Sequence, residues 1–173
     1  MKRIVVYTSK TGFTKKYAEW IAEELQCEAK ELKKPDVASL AQYDQVIYGG
    51  WIMGGMGSGL NELMDKGIKD LIVFSTGMTV PSDEVSDRIS KQNRVEKERL
   101  FYFEGGYQPK KAGIMGRMMI RMIAGSLRKK EQKTEAEKRS LETMENGVDR
   151  TAKEAILPLI TYVQNSANHV NKE

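Results

Sequence analysis

Residues 4–14 read IVVYTSKTGFT, a β-branched and aromatic run that gives way to four hydroxyl side chains, Thr8, Ser9, Thr11 and Thr14, around a single glycine, Gly12. The run from Lys2 to Tyr7 predicts a strand. Beyond the hydroxyls, Tyr17, Ala18, Ile21, Ala22 and Leu25 recur at helical spacing, so the stretch reads as strand, loop and helix. The loop's main-chain N–H groups then face the opening of a helix. There, unsatisfied amides and the positive end of the peptide dipoles attract an anion, and Gly12 lets the backbone approach it closely. Lys15 and Lys16 point the same way, because cations in a first helical turn oppose the dipole unless an anion lies near. The same residue types also suit a hydroxyl-capped turn that holds no ligand.

Downstream the alternation repeats. Glu28 to Leu32 forms a short strand candidate with a turn at Pro35, and Gln45 to Tyr48 forms a buried one leading into the glycine-rich GGWIMGGMGSG at 49–59. Leu60, Leu63 and Met64 predict a short helix. Asp70 to Phe74 predicts a strand running into STGMTVPSD at 75–83, where Ser82 or Asp83 caps another helix. Leu100 to Phe103 is the last strand candidate, followed by EGGYQPKKAG at 104–113, and a helical stretch from about Asp149 to Gln164, interrupted by Pro158, closes the chain. Strands alternating with helices imply an α/β fold whose parallel sheet is covered on both faces.

At 173 residues, 40% apolar and 30% charged, the composition is that of one folded domain, 1–173, without disordered or repetitive character. The single Cys27 excludes a disulfide framework and a cysteine metal cluster, and the single His169 excludes a histidine-rich zinc site. We therefore expect no metal, and chemistry carried by a borrowed cofactor. No GxxxxGK[ST] is present, and GGMGSG lacks GxGxxG spacing, which removes two nucleotide-binding readings. The apolar run Ile4 to Tyr7 is too short for a secretory leader, and a net charge of +4 is too mild to imply nucleic acid, so a cytoplasmic protein is expected.

TSKTGFT after a first strand resembles the phosphate-binding loop of flavodoxins, and GGWIMGGMG and FSTGMTVPSD fall where that family places the two loops holding its flavin. The resemblance covers nearly the whole chain. It implies a doubly wound five-stranded sheet of order 2-1-3-4-5 and FMN as cofactor, with the phosphate held by Ser9, Lys10, Thr11, Gly12, Phe13 and Thr14. Gly50, Trp51, Ile52, Met53 and Gly54 then border the ring, and Ser75, Thr76, Gly77 and Met78 form its third side. Independently, a flat π-system wants an apolar face and polar backbone at its edge, which Trp51, Met53 and the glycines supply; Trp51 could equally be a core filler. The family also places a glycine beside the flavin whose peptide turns over on one-electron reduction, and Gly54 and Gly55 are the candidates. Phe13 stands where asparagine is common in the family. STGMTVPSD has no aromatic residue to stack on the outer flavin face, a place left to Met78 or Tyr107. The chain is also basic where small electron-shuttling flavodoxins are acidic.

Between Gln108 and Lys133 stand eight basic residues against the single acid Glu131. Within this stretch Gly113 to Leu127 predicts an inserted helix, with 113–139 as the whole insertion. Arg117, Arg121 and Arg128 form one stripe of it, and methionines, isoleucines and Leu127 cover most of the rest. Such a surface suits docking at a membrane interface through 113–130, or a polarizable wall for a flat hydrophobic substrate, or a core helix with its arginines in water. The segment is similar in position and character to one in flavodoxin-domain proteins of the menaquinone-dependent protoporphyrinogen oxidase type. That resemblance implies an enzyme at the inner face of the membrane that passes electrons from an anionic porphyrinogen to a quinone, with catalytic residues unassigned. The alternatives are a soluble electron carrier for a redox partner protein and a non-redox module on the same fold. The acidic pocket of receiver domains is missing, since Tyr7 and Thr8 stand at that position.

Overall fold

The computed structural model describes residues 1–64 and 66–170, with the side chains of 34–36 and 167–170 excepted. Five parallel strands, β1 (Arg3–Tyr7), β2 (Glu28–Glu31), β3 (Gln45–Met53), β5 (Leu71–Gly77) and β6 (Leu100–Glu104), lie in the order β2-β1-β3-β5-β6. The two-residue β4 (Met56–Gly57) folds back antiparallel on β3. Counting the parallel strands alone, the order is the expected 2-1-3-4-5.

Alternation along each strand sorts the core into two layers. Val5, Tyr7, Ile47, Ile72, Phe74 and Phe103 meet α1 (Phe13–Glu24) and α6 (Leu157–Val170) on one face. Ile4, Val6, Val46, Tyr48, Val73 and Leu100 meet α2 (Asn61–Met64), α3 (Asp83–Asn93) and the 3-10 segment at 34–42 on the other. With both faces covered, β1, β3 and β5 read as continuous apolar runs. Ser82 caps α3, accepting from Val85 N–H at 3.2 Å.

Several boundaries differ from expectation. β3 runs five residues past Tyr48, through the glycines to Met53, and β5 runs three past Phe74 to Gly77, because parallel neighbours continue to pair there: Gly50 with Ser75 and Trp51 with Thr76. Pro158 interrupts nothing. It is the second residue of α6, after a 3-10 turn at Lys153–Ile156, and in a first helical turn its missing N–H has no partner to lose. The charged run Arg128–Arg139 already contains the start of α5 (Glu135–Asn146), closed by a reciprocal Thr134–Glu137 capping box.

The excursion after β6 is wider than the predicted 113–139. Tyr107 N–H donates to Val148 O at 3.1 Å and Arg150 N–H to Gly105 O at 2.8 Å, so the chain departs and returns side by side. Between those points α4 (Gly113–Lys129) and α5 pack on each other. Arg139 grips Glu104 at the end of β6 with two bonds of 2.9 and 2.8 Å. Tyr17 of α1 donates to Glu104 O at 2.8 Å and accepts from Ala152 N–H at 3.1 Å, tying the return of the chain to the sheet. Among the described residues no helix is long and apolar enough to cross a membrane.

Gly49 carries the tightest packing in the central strand: a Cβ there would lie 2.1 Å from Phe74 Cζ. Gly49→Ala is expected to lower stability by about 1–3 kcal/mol through this overpacking, measured by urea denaturation.

Candidate functional site

Because β1, β3, β5 and β6 are parallel, their C-terminal ends share one edge of the sheet, and the segments that follow them meet there. Thr8 Oγ1 lies 3.0 Å from Tyr48 Oη and donates to Ser58 O at 3.1 Å, which fastens the first loop to the chain leaving β4. Thr14 Oγ1 and Thr76 Oγ1 bond at 2.8 Å with both side chains buried, which fastens the start of α1 to the end of β5. Gly105 N–H donates to Gly77 O at 2.7 Å and joins the segment after β6.

The first loop resolves the choice between a capped turn and an open one. Helix α1 is N-capped by Gly12 in the left-handed conformation, φ 101°, with no side-chain cap. Ser9 Oγ accepts from Gly12 N–H at 3.1 Å and reaches no further into the helix. Thr8 and Thr14 spend their hydroxyls on Tyr48, Ser58 and Thr76. Among the described residues the amides of Thr11, Phe13, Thr14 and Lys15 therefore have no intrachain acceptor. Capping by the chain's own hydroxyls would have removed the need for an anion, and it does not occur. The lysines inferred from sequence to favour an anion have protein partners instead. Lys15 pairs with Glu19 at 3.7 Å, and Lys16 reaches Asp149 at 3.2 Å and Thr151 Oγ1 at 2.7 Å. Asp149 is accordingly held below the usual carboxylate range by bonds from Thr151 and Lys16, which outweigh its partial burial.

The second segment is a hairpin and not the open glycine loop expected. Met53 pairs with Met56 across Gly54 and Gly55, both at positive φ (60° and 89°), the combination a two-residue type I′ turn demands. Its anchor is Asn93, 3% exposed at the end of α3. The amide Nδ2 donates to Gly55 O at 2.7 Å and Ile89 O at 2.8 Å, while Oδ1 accepts from Gly57 N–H at 2.7 Å. Gly54 stands in open space. Trp51 and Ile52 are half-buried and Met53 is exposed at the hairpin.

In the third segment Ser75 and Thr76 are buried within β5, and Gly77 and Met78 emerge half-exposed from its end. Tyr102 donates to Thr79 O at 3.0 Å, closing that segment against β6. Tyr107, one of two aromatic-platform candidates, is buried and lines a 720 Å³ groove between α4 and α5 together with Pro109, Arg117, Ile120, Arg121 and Met144. Lys10 is exposed at the loop's tip. Sequence reasoning missed Asn93, the contacts of Thr8 with Tyr48 and Ser58, and Lys111, whose Nζ stands 3.9 Å from where a Gly12 Cβ would be. No spacing rule joins residues so far apart in the chain. The residues present fit a ligand with an anionic end at 9–14 and a flat body beside the hairpin and β5.

A family profile described as flavodoxin domain matches residues 4–135. Comparison with curated proteins returns no match. Among solved structures the chain is similar to oxidised flavodoxin 2 from Bacillus cereus, with 20% identity and a TM-score of 0.44, over 60% of this chain and 84% of that one. It is also similar to the Trp repressor binding protein from Bacillus subtilis, with 16% identity and a TM-score of 0.45, over 77% and 100%. A flavoprotein in complex with FMN from Lactobacillus acidophilus matches with 16% identity and a TM-score of 0.40, over 60% and 90%.

Two outcomes follow from this geometry. Asn93→Ala leaves the Gly57 N–H and Gly55 C=O without their partner and is expected to cost about 1–3 kcal/mol, with faster amide exchange at Gly57 as the local readout. Burial pushes the Tyr48 hydroxyl up to about 12 from its ordinary 10.0. The folded state thus keeps a proton that the unfolded chain releases, and Tyr48 contributes stability that is full below the ordinary value and lost as pH rises toward the raised one. Urea midpoints between about pH 9 and 11 should fall less steeply for Tyr48→Phe than for the native chain.

Proposed function

This chain belongs to the flavodoxin domain family, and from that premise we propose that it binds FMN across the ends of β1, β3 and β5 and works as an FMN-dependent oxidoreductase. The uncapped first turn of α1 carries this reading. A phosphate monoester completes the four amides the protein leaves open, with Ser9 and Thr11 still able to donate. When bound, FMN supplies the electron and hydride transfer that these side chains cannot perform themselves.

Ser9 through Thr14 would hold the phosphate. Gly50 through Gly54 would border the ring, with Trp51 and Met53 giving it apolar cover and excluding water from one face. Gly77 and Met78 would close the third side, and Ser75 and Thr76 support that side from within the strand. Asn93 holds the hairpin by Gly55 O and Gly57 N–H, so the rest of the turn keeps its shape while Gly54 stays free to adjust.

Of the two oxidoreductase readings we favour an enzyme of the protoporphyrinogen oxidase type, acting peripherally at the inner membrane face and delivering electrons to a quinone. The exposure of α4 supports it. Ile114 is 78% exposed, Met115 77%, and Met118 and Met122 67% each, which sets aside the core-helix expectation. Lys110 and Lys129 are exposed on the same excursion, and basic residues beside an apolar helix face are the combination that binds anionic lipid surfaces. On the neighbouring side Arg117 and Arg121 line the α4–α5 groove with no ion pair among the described residues, a setting for the carboxylates of an amphipathic anion.

The test is a titration of the purified chain with FMN, followed by protoporphyrinogen oxidation with a quinone acceptor on anionic vesicles. We expect quenching of FMN fluorescence on binding, and turnover that falls in the Met118→Gln, Met122→Gln double variant while FMN affinity is kept. Absence of FMN binding would overturn the redox reading. FMN binding without turnover would favour a soluble electron carrier for a partner protein.

A further inference from the structure

Resting on that reading, we propose that Lys111, which lies outside the strand-loop-helix motif, is the cation that neutralises the cofactor's phosphate, so that the excursion after β6 forms part of the FMN site. The open side of the first loop is marked by the point where a Gly12 Cβ would stand, and the Lys111 ammonium is 3.9 Å from that point. It stands beside Gly12, the N-cap of α1.

Among the described residues Lys111 Nζ is the atom within 4 Å of that point, and Lys10, in the loop itself, holds its ammonium farther from it. Lys15 lies 3.7 Å from Glu19, and Lys16 bonds Asp149 and Thr151, so both cations of the first helical turn already have partners within the protein. Lys111 makes no ion pair among the described residues. An FMN phosphate carries nearly two negative charges at neutral pH, and main-chain amides solvate these charges without neutralising them. An ammonium beside Gly12 adds a charge-assisted hydrogen bond to that phosphate. Lys111 is held there by backbone: its N–H donates to Gln108 O at 3.0 Å, Ala112 N–H donates to the same oxygen at 3.1 Å, and α4 begins at Gly113. The ammonium thus projects from a fixed turn at the foot of α4. Occupancy of the phosphate site then also fixes the entry to that helix.

The test compares FMN with riboflavin, which lacks the phosphate, on the native chain and on Lys111→Gln, Lys111→Arg and Lys110→Gln, by fluorescence titration at low and high potassium chloride. Lys111→Gln should weaken FMN binding roughly tenfold at low salt and leave riboflavin binding unchanged. Lys111→Arg should restore most of the affinity. The native chain should lose more FMN affinity to added salt than Lys111→Gln does. Equal weakening by Lys110→Gln and Lys111→Gln would mean a diffuse basic field and overturn the proposal, as would equal losses for FMN and riboflavin. If the native chain binds riboflavin and FMN equally, the phosphate site itself fails. If it binds neither, the redox reading fails first.

Discussion

A parallel sheet covered on both faces leaves the ends of its central strands as the place where a ligand can reach it, and the candidate site follows from that constraint. Ile4 and Val6 are committed to one layer and Val5 and Tyr7 to the other, so the first strand has no side left for a ligand. Recognition falls to what comes after each strand. The buried Thr14–Thr76 bond and the Thr8–Ser58 contact then matter more than their small energies suggest, because they turn three separate strand ends into one continuous rim. The rim is shaped by polar atoms satisfied within the protein. The amides at the start of α1 have no acceptor among the described residues, and for that reason they are informative.

How much of this was legible before folding depends on range. Strand, loop and helix in residues 2–25 could be read from local alternation and helical spacing, as could the α/β class, whereas the order of the parallel strands came only with the resemblance to flavodoxins. The strand ends were misplaced where pairing overrides composition: Gly49 and Gly50 look like loop residues, yet lie in the middle of β3 because Phe74 needs the room a Cβ would take. Pro158 was misread for a related reason, since its effect depends on whether a helix begins or continues there. Lys15 and Lys16 looked like anion ligands until Glu19 and Asp149 took them up. The ammonium placed against Gly12 belongs to Lys111, about a hundred residues along the chain, where no sequence pattern could have placed it.

The α4–α5 excursion is attached as firmly as it is exposed. Glu104 terminates the last strand and is almost enclosed, and a two-point contact from Arg139 makes that enclosure tolerable. Tyr17 adds a bond from α1 to each side of the junction. The outer helix therefore presents its apolar face from a fixed base, and its arginines can be directed inward to the groove without the pair of helices drifting from the sheet.

That outer face consists largely of methionine. Leucine or isoleucine in the same places would give an equally apolar surface, but a chemically inert one. The thioethers of Met115, Met118 and Met122 stand open to oxidants, and each sulfoxide formed would place a polar S=O where a greasy side chain had been. Oxidation would then make this face more polar by degrees, and reduction of the sulfoxides would restore it, so its apolar character is tied to the redox state of its surroundings.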